Sequence, residues 1–260
     1  MAWRTKSVEQ SIADTDEPDT RLRKDLNWWD LTVFGVSIVI GAGIFTITAS
    51  TAGNITGKVM LEGSPPANPV IKMASDPACG SAEVRGESYV VDNGALQNVF
   101  VYIKDGLGNK YIFDTPTEPV KLDQKGCHYV PHVVGVRTTQ PLEISNSDAT
   151  LHNVHGLPKD NREFNQGQPI QGVKNTVTFD TAEVLIPFKC DVHAWMNAYV
   201  GVVDHPYFAV TGDGGKFELR GLPPGTYSIE AVHEKLGRQS QSITLGEKDV
   251  KDLSFSFKVQ

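Results

Sequence analysis

The chain has 260 residues, with 24 Lys plus Arg, 31 Asp plus Glu and a formal net charge of -7. This length fits one or two ordinary domains, and a hydrophobic content of 40% is enough to build a folded core. The acidic balance argues against a general nucleic-acid binder, which needs a basic face, so no nucleic-acid partner is expected. The three cysteines, Cys79, Cys127 and Cys190, leave at least one thiol without a partner in the chain.

The first predicted element is an uncharged apolar run. It covers residues 31–47 and, with the mildly polar residues through 52, reaches the roughly 20 residues that span a bilayer. Basic residues precede the run, and none follows it before Lys58. The positive-inside rule therefore predicts a cytoplasmic leader at 1–30 and a transmembrane helix or signal anchor at 31–52, with the rest of the chain outside. A cleaved signal peptide and a buried core helix are the alternatives.

Residues 20–57 resemble the first membrane span of amino-acid permeases, most specifically in the motif GAGIF at 41–45. In that family, the resemblance implies an unwound helix that holds the substrate backbone at these glycines. A transporter needs many more spans, so transport is not carried over to this chain. The resemblance stops where a predicted strand starts, at 55–59, which suggests a gene fusion or a sequence-assembly chimera. Sequencing across codons 50–60 tests this, because an uninterrupted read would exclude an artefact.

From residue 55 onward the sequence predicts β-structure throughout. Residues 98–103 form a strongly apolar strand, and residues 142–146 and 176–179 alternate with the two-residue period of a half-buried strand. Clusters of Gly, Asn, Asp and Pro separate these segments. Many short strands with turn signals are typical of a sandwich or barrel, so the predicted fold class is all-β.

Two segments carry the residue types of a soft metal site. The loop sequence FKCDVHAWM contains Cys190, His193 and Met196 in a Cys-x2-His-x2-Met spacing, and His152 lies 38 residues before the cysteine. A thiolate, two imidazoles and a thioether are the ligand set of a type 1 copper site, because sulfur favours Cu(I) and imidazole suits both oxidation states. Only a fold that brings strand ends together can add His152 to this loop. The residues therefore predict one mononuclear copper ion.

This pattern resembles the cupredoxins, and the short loop is amicyanin-like. The resemblance covers residues 96–203 and implies a Greek-key sandwich, which we expect to occupy residues 55–205. The segment LHNVH at 151–155 matches the first-ligand segment of that family, with His152 in the ligand position. The resemblance also implies that Asn153 ties the two ligand loops together near the sulfur, a role that tunes potential and rigidity.

Three further expectations concern residues around the predicted ligands. The resemblance implies that His193 lies near the surface and is the electron exit. His155 is the main competitor of His152 for the ligand position. Outside the cytoplasm, Cys79 and Cys127 are expected to form a disulfide, and two separate buried thiols are the alternative.

A second β unit is predicted at 206–260. Residues 208–211 and 216–219 read as a hairpin around a Gly-rich turn. The motif GKFELRGLPPGTYSIEA at 215–231 resembles the carboxypeptidase regulatory-like domain, a small β-sandwich of the carbohydrate-binding-like fold. This resemblance implies a fold and no chemistry. Residues 57–63 could form a strand of either unit.

Together these features predict a type 1 copper protein that carries single electrons and is not an enzyme. It would be periplasmic or otherwise extracytoplasmic, anchored to the cytoplasmic membrane through residues 31–52 or secreted. Its partners would be redox proteins such as a cytochrome c or a periplasmic dehydrogenase. The alternative is a non-redox binding module in which β-sandwiches recognise a carbohydrate or a protein and the metal is structural or absent.

Overall fold

Strands form nearly all of the regular structure in the computed structural model, which describes residues 51–73, 76–80 and 84–259. In chain order they begin with β1 (Gly53–Glu62), β2 (Val70–Ile71), β3 (Val84–Arg85), β4 (Val91–Asp92), β5 (Ala95–Leu96), β6 (Phe100–Asp105), β7 (Val120–Gln124), β8 (Tyr129–Val130), β9 (Val133–Arg137) and β10 (Leu142–Asn146). They continue with β11 (His152–Gly156), β12 (Phe164–Gln168), β13 (Lys174–Val177), β14 (Glu183–Lys189), β15 (Asn197–Val203), β16 (Phe208–Val210), β17 (Lys216–Leu222), β18 (Gly225–His233), β19 (Gly237–Leu245) and β20 (Val250–Lys258).

Helix among the described residues is limited to 3-10 structure, at Met73 and in three-residue turns at Pro77–Cys79, Gly108–Lys110 and Asp213–Gly215. The predicted all-β fold class is therefore confirmed. The leader at 1–30 and nearly all of the predicted span at 31–52 lie outside the described residues. Within them, no helix has the length and apolar character needed to cross a bilayer.

Two sheets between residues 120 and 203 form the sandwich that contains the predicted metal ligands. Their strand orders are β13-β10-β7-β8 and β12-β11-β14-β15-β9. Successive side chains of a strand point to opposite faces, so β10 buries Leu142 and Ile144 and leaves the residues between them partly exposed. These side chains share one core with Phe188 of β14 and Val200 of β15. Strand β10 has the bounds that the sequence pattern predicted.

The other sandwich is assembled from separate stretches of the chain. One sheet has the order β17-β1-β5-β4 with β20 also paired to β1, and the other has the order β16-β6-β18-β19. The alternating pattern of β1 buries Ile55 and Val59 against Phe217 and Phe255. Strand β1 thus joins the C-terminal strands, and strands from both sides of the predicted boundary at residues 205 and 206 share the same sheets.

The hairpin predicted for residues 208–211 and 216–219 does not form. Strand β16 pairs with β6, whereas β17 pairs with β1 in the opposite sheet. Between them, Gly215 has a φ of +65°, and a Cβ there would overlap the carbonyl oxygen of Val59. Glycine therefore lets the chain cross from one sheet to the other at a point where a larger residue would not fit.

Aromatic rings join the two sandwiches. Phe100 of β6 and Phe208 of β16 stack with their ring centroids 5.7 Å apart. They lie against Gly135 of β9 and Gly201 of β15, and a Cβ on Gly201 would be 2.5 Å from the Phe100 ring. The sandwich with the predicted ligands is therefore fixed to its neighbour by close apolar packing.

Candidate metal centre

The loop between β14 and β15 carries three of the predicted ligands. The strands remain paired up to Lys189 and Asn197. Backbone hydrogen bonds then close the loop, from the Cys190 amide to the Met196 carbonyl at 3.1 Å and from the Met196 amide to the His193 carbonyl at 2.9 Å. The His193 amide also donates to Cys190 Sγ at 3.4 Å. All three side chains are buried, with at most 3% of each residue exposed.

His152, the first residue of β11, reaches this loop from the neighbouring strand. Its Nδ1 lies 2.9 Å from the Nδ1 of His193, which in turn lies 3.9 Å from Cys190 Sγ. One donor atom from each of the three residues lies within 4.8 Å of the others. The structure therefore brings together an imidazole and a loop that are far apart in sequence.

The chemical states of these groups suit metal ligation. Cys190 has a free thiol, and His152 is fully buried. Burial lowers the pKa of His152, which favours the neutral ring that can act as a ligand. Met196, 1% exposed, adds a thioether to the same loop.

Asn153 connects the two ligand-bearing segments. Its Oδ1 accepts hydrogen bonds from the Asp191 amide at 2.7 Å and from the Cys190 thiol at 3.3 Å. Its Nδ2 donates to Asn165 Oδ1 at 2.7 Å. Because Asn153 follows His152 directly, these bonds limit the movement of the sulfur relative to that imidazole.

A disulfide covers the loop histidine. Cys79 and Cys127 are bonded to each other, with their Cα atoms 5.4 Å apart, and Cys79 Sγ lies 3.7 Å from His193 Nε2. The ring of Trp195 lies on another side, 5.1 Å from the His193 ring between centroids. His193 is only 3% exposed, so the ring itself is covered, and its role as the electron exit stays a prediction. The segment 76–80 excludes solvent from its outer edge.

Two carboxylates that the sequence analysis missed face the outer nitrogens of the imidazoles. Asp148 Oδ2 lies 3.0 Å from His152 Nε2, and Asp76 Oδ2 lies 3.0 Å from His193 Nε2. Asp148 precedes its histidine by four residues, which is a weak local signal, whereas Asp76 is 117 residues from its own. A hydrogen bond from the Thr150 hydroxyl is the main cause that lowers the pKa of Asp76 to about 2.

His155 lies on the opposite side of β11 from His152. Its Nδ1 is 2.9 Å from Asp191 Oδ2, and its Nε2 is 2.9 Å from Glu163 Oε1. The hydrogen bond with Glu163 is the largest cause that raises the pKa of His155. Both ring nitrogens of His155 therefore contact carboxylates, and the ring lies away from the candidate ligands His152, Cys190 and His193.

Comparison with known proteins gives short or distant similarities, and no protein-family model matches the sequence. Cationic amino acid transporter 1 of Arabidopsis thaliana is 45% identical over 40 residues, which is 15% of this chain and 7% of the transporter. Among solved structures, the copper-containing nitrite reductase from Thermus scotoductus SA-01 is 18% identical with a TM-score of 0.31, over 33% of this chain and 22% of that one.

Two smaller proteins are matched over nearly their whole length. The novel purple cupredoxin from Nitrosopumilus maritimus is 17% identical with a TM-score of 0.28, over 32% of this chain and 98% of the cupredoxin. A mutant of amicyanin in its oxidised form is 18% identical with a TM-score of 0.30, over 39% of this chain and 97% of amicyanin. These TM-scores are too low to assign a function to the site.

Proposed function

We propose that this protein is an extracytoplasmic electron carrier with one mononuclear type 1 copper ion. The observation that carries the proposal is the convergence of Cys190 Sγ with the Nδ1 atoms of His152 and His193 in the protein interior. The donor chemistry fits copper, because sulfur and imidazole together suit both Cu(I) and Cu(II). Zinc is a poorer fit, since its usual protein ligands do not include a thioether.

In this proposal, Cys190 would supply the thiolate, His152 and His193 the imidazoles, and Met196 a weakly bound thioether. A copper ion held by these residues would supply one-electron redox chemistry. The contribution of the protein is to hold these donors in place through the closed loop and the bonds of Asn153. A rigid donor set needs little rearrangement when the charge of the ion changes.

We propose a carrier because the candidate metal groups centre on one site, and a one-electron carrier needs a single redox ion. In the part of the chain that the structure describes, every group of His, Cys, Asp and Glu close enough to hold a metal contains His152 or His193. Multicopper enzymes use further copper ions with their own ligands. The proposed partners are therefore other redox proteins, such as a cytochrome c or a periplasmic dehydrogenase.

The disulfide between Cys79 and Cys127 supports the proposed location, because disulfides persist in oxidising compartments outside the cytoplasm. Anchoring through residues 31–52, or secretion after cleavage, remains part of the proposal. Fractionation of cells that express the full chain tests it: recovery in the cytosolic fraction would contradict both versions.

The central experiment is to add Cu(II) to the full chain and record visible absorption and electron paramagnetic resonance. A blue colour with narrow hyperfine splitting is expected, and Cys190→Ser should abolish it. A colourless protein with an ordinary square-planar copper signal would refute the proposal.

A pair of variants tests the choice between the two histidines of β11. His152→Gln should abolish the blue colour, because it removes a donor from the pocket. His155→Gln is the matched control and should keep the colour, since its ring lies outside the donor group. The reverse result would assign the ligand role to His155.

A further inference from the structure

Both imidazoles of the proposed copper site meet a carboxylate on the side away from the donor pocket. His193 Nε2 lies 3.0 Å from Asp76 Oδ2, and His152 Nε2 lies 3.0 Å from Asp148 Oδ2. Their Nδ1 atoms lie 2.9 Å from each other, beside the thiol of Cys190. Each ring therefore has its Nδ1 beside the other ring and the Cys190 thiol, and its Nε2 within hydrogen-bond distance of a carboxylate.

Each carboxylate is itself held by two donors. Asp76 accepts hydrogen bonds from the Thr150 hydroxyl at 2.6 Å and from the Ala78 amide at 2.9 Å. Asp148 accepts from the backbone amides of residues 126–127, at 2.7 and 2.8 Å. These bonds fix the position of each carboxylate.

The disulfide links the two backbone segments that hold the carboxylates in place. Asp76 is the N-cap of the 3-10 turn that ends at Cys79, so this carboxylate and this sulfur belong to one turn. Cys127 provides one of the amides that hold Asp148. The bond between Cys79 and Cys127 therefore links the turn that carries one carboxylate to the loop that holds the other.

We infer that Asp76 and Asp148 are positioning residues for the two imidazole ligands and that the disulfide holds their supports together. This inference deepens the proposed function and rests on it. A carboxylate that accepts a hydrogen bond from Nε2–H orients the ring and leaves the Nδ1 lone pair facing the metal. Its negative charge also favours Cu(II) over Cu(I), because Coulomb attraction grows with the charge of the ion.

Glu163 offers a matched control. Its carboxylate lies 2.9 Å from the Nε2 of His155, which is the same chemical contact on an imidazole outside the donor group. Glu163→Gln removes the same charge as Asp76→Asn or Asp148→Asn and touches neither proposed ligand ring.

The first measurement determines the Cu(II) affinity, the Cu(I) affinity and the reduction potential of these three variants, each made in the full chain. Asp76→Asn and Asp148→Asn should each weaken Cu(II) binding by roughly 10–100-fold, the range seen when such outer partners of metal ligands are removed. Cu(I) binding should weaken less, and each tenfold preferential loss of Cu(II) raises the one-electron reduction potential by about 59 mV. Glu163→Gln should leave both affinities and the potential as in the unmodified protein.

The second measurement does not require copper. In nuclear magnetic resonance spectra of the metal-free chain, the Nε2–H protons of His152 and His193 should be shifted downfield and protected from exchange by their carboxylates. Asp76→Asn should alter the resonance of His193 more than that of His152, and Asp148→Asn should do the reverse. Absence of these protected protons in the unmodified chain would overturn the inference.

The two proposals fail in different ways. If the unmodified protein gives no type 1 copper spectrum, the proposed function is wrong, and the proton resonances still test whether the carboxylates hold the rings. If the spectrum is of type 1 and both Asn variants match Glu163→Gln in affinity and potential, the positioning role of Asp76 and Asp148 is wrong.

Discussion

Breaking the bond between Cys79 and Cys127 should lower the unfolding free energy of the metal-free protein by about 4 kcal/mol. The two cysteines are 48 residues apart in sequence. In the loop-entropy treatment, closing a loop of that length removes about 14 cal/mol/K from the unfolded chain, which is about 4 kcal/mol at 25 °C. This treatment assigns the effect mainly to the unfolded chain, which the bond constrains.

Urea unfolding of the metal-free full chain measures this effect. The oxidised protein is compared with the same protein reduced by a dithiol and with the double variant Cys79→Ser, Cys127→Ser. Copper is left out because a ligand that binds only the folded state adds its own stability. Cys190→Ser is the control, since Cys190 has a free thiol and closes no loop.

Both samples without the disulfide should unfold at lower urea, with a larger m-value because the uncrosslinked unfolded chain exposes more surface. Changes below about 1 kcal/mol in both samples would refute the loop-entropy estimate. The site provides a separate check, because an unpinned Asp76 should weaken Cu(II) binding as Asp76→Asn does. A loss of stability with unchanged Cu(II) affinity would refute the role of the disulfide in holding that carboxylate.

Three further predictions concern the frame around the site. Gly201→Ala should destabilise the protein by roughly 1–3 kcal/mol in urea, because its Cβ would overlap the Phe100 ring, whereas Gly167→Ala, with open space around it, should not. Asn153→Ala should cost roughly 1–3 kcal/mol by removing an acceptor from two donors, and it should change the visible spectrum of the copper-loaded protein. Burial lowers the pKa of His233 from its ordinary value of 6.5 to about 4. As the pH falls from 6.5 to 4, the imidazole therefore binds a proton in the unfolded chain and stays neutral in the folded one. The free energy of unfolding measured in urea should therefore fall as the pH falls over that range, by up to about 1.4 kcal/mol per pH unit for this residue. His233→Gln should reduce this slope and not abolish it, because burial also lowers the pKa of His152 and of His205.

The local part of the candidate site could be read from the sequence because its residues are neighbours in the chain. Cys190, His193 and Met196 lie on one loop whose backbone bonds follow from the pairing of its two strands. His152 required the family resemblance, since nothing in the spacing selects it over His155. The structure separates the two, because residues three apart on a strand face opposite sides.

The pairing of distant strands could not be read in the same way. The alternating pattern of residues 57–63 indicates a half-buried strand, and it contains no information on which strand lies beside it. The segments 208–211 and 216–219 also have strand character and a Gly-rich turn between them. Their pairing to different sheets depends on β1 and β6, which are more than 100 residues earlier in the chain.

The burial of His193 shows that the surroundings of a local motif can depend on a segment far away in the sequence. The cover comes from the segment 76–80, which contains no pattern that points to the loop. The expected disulfide did indicate where this segment lies, because bonded cysteines have Cα atoms within about 7 Å of each other. If Cys127 lies beside the ligand loops, a bond to Cys79 must bring the turn at 77–79 to the same place. The leftover thiol and the paired thiols are therefore parts of one site: Cys190 faces the proposed metal, and the disulfide supports the carboxylates behind the imidazoles.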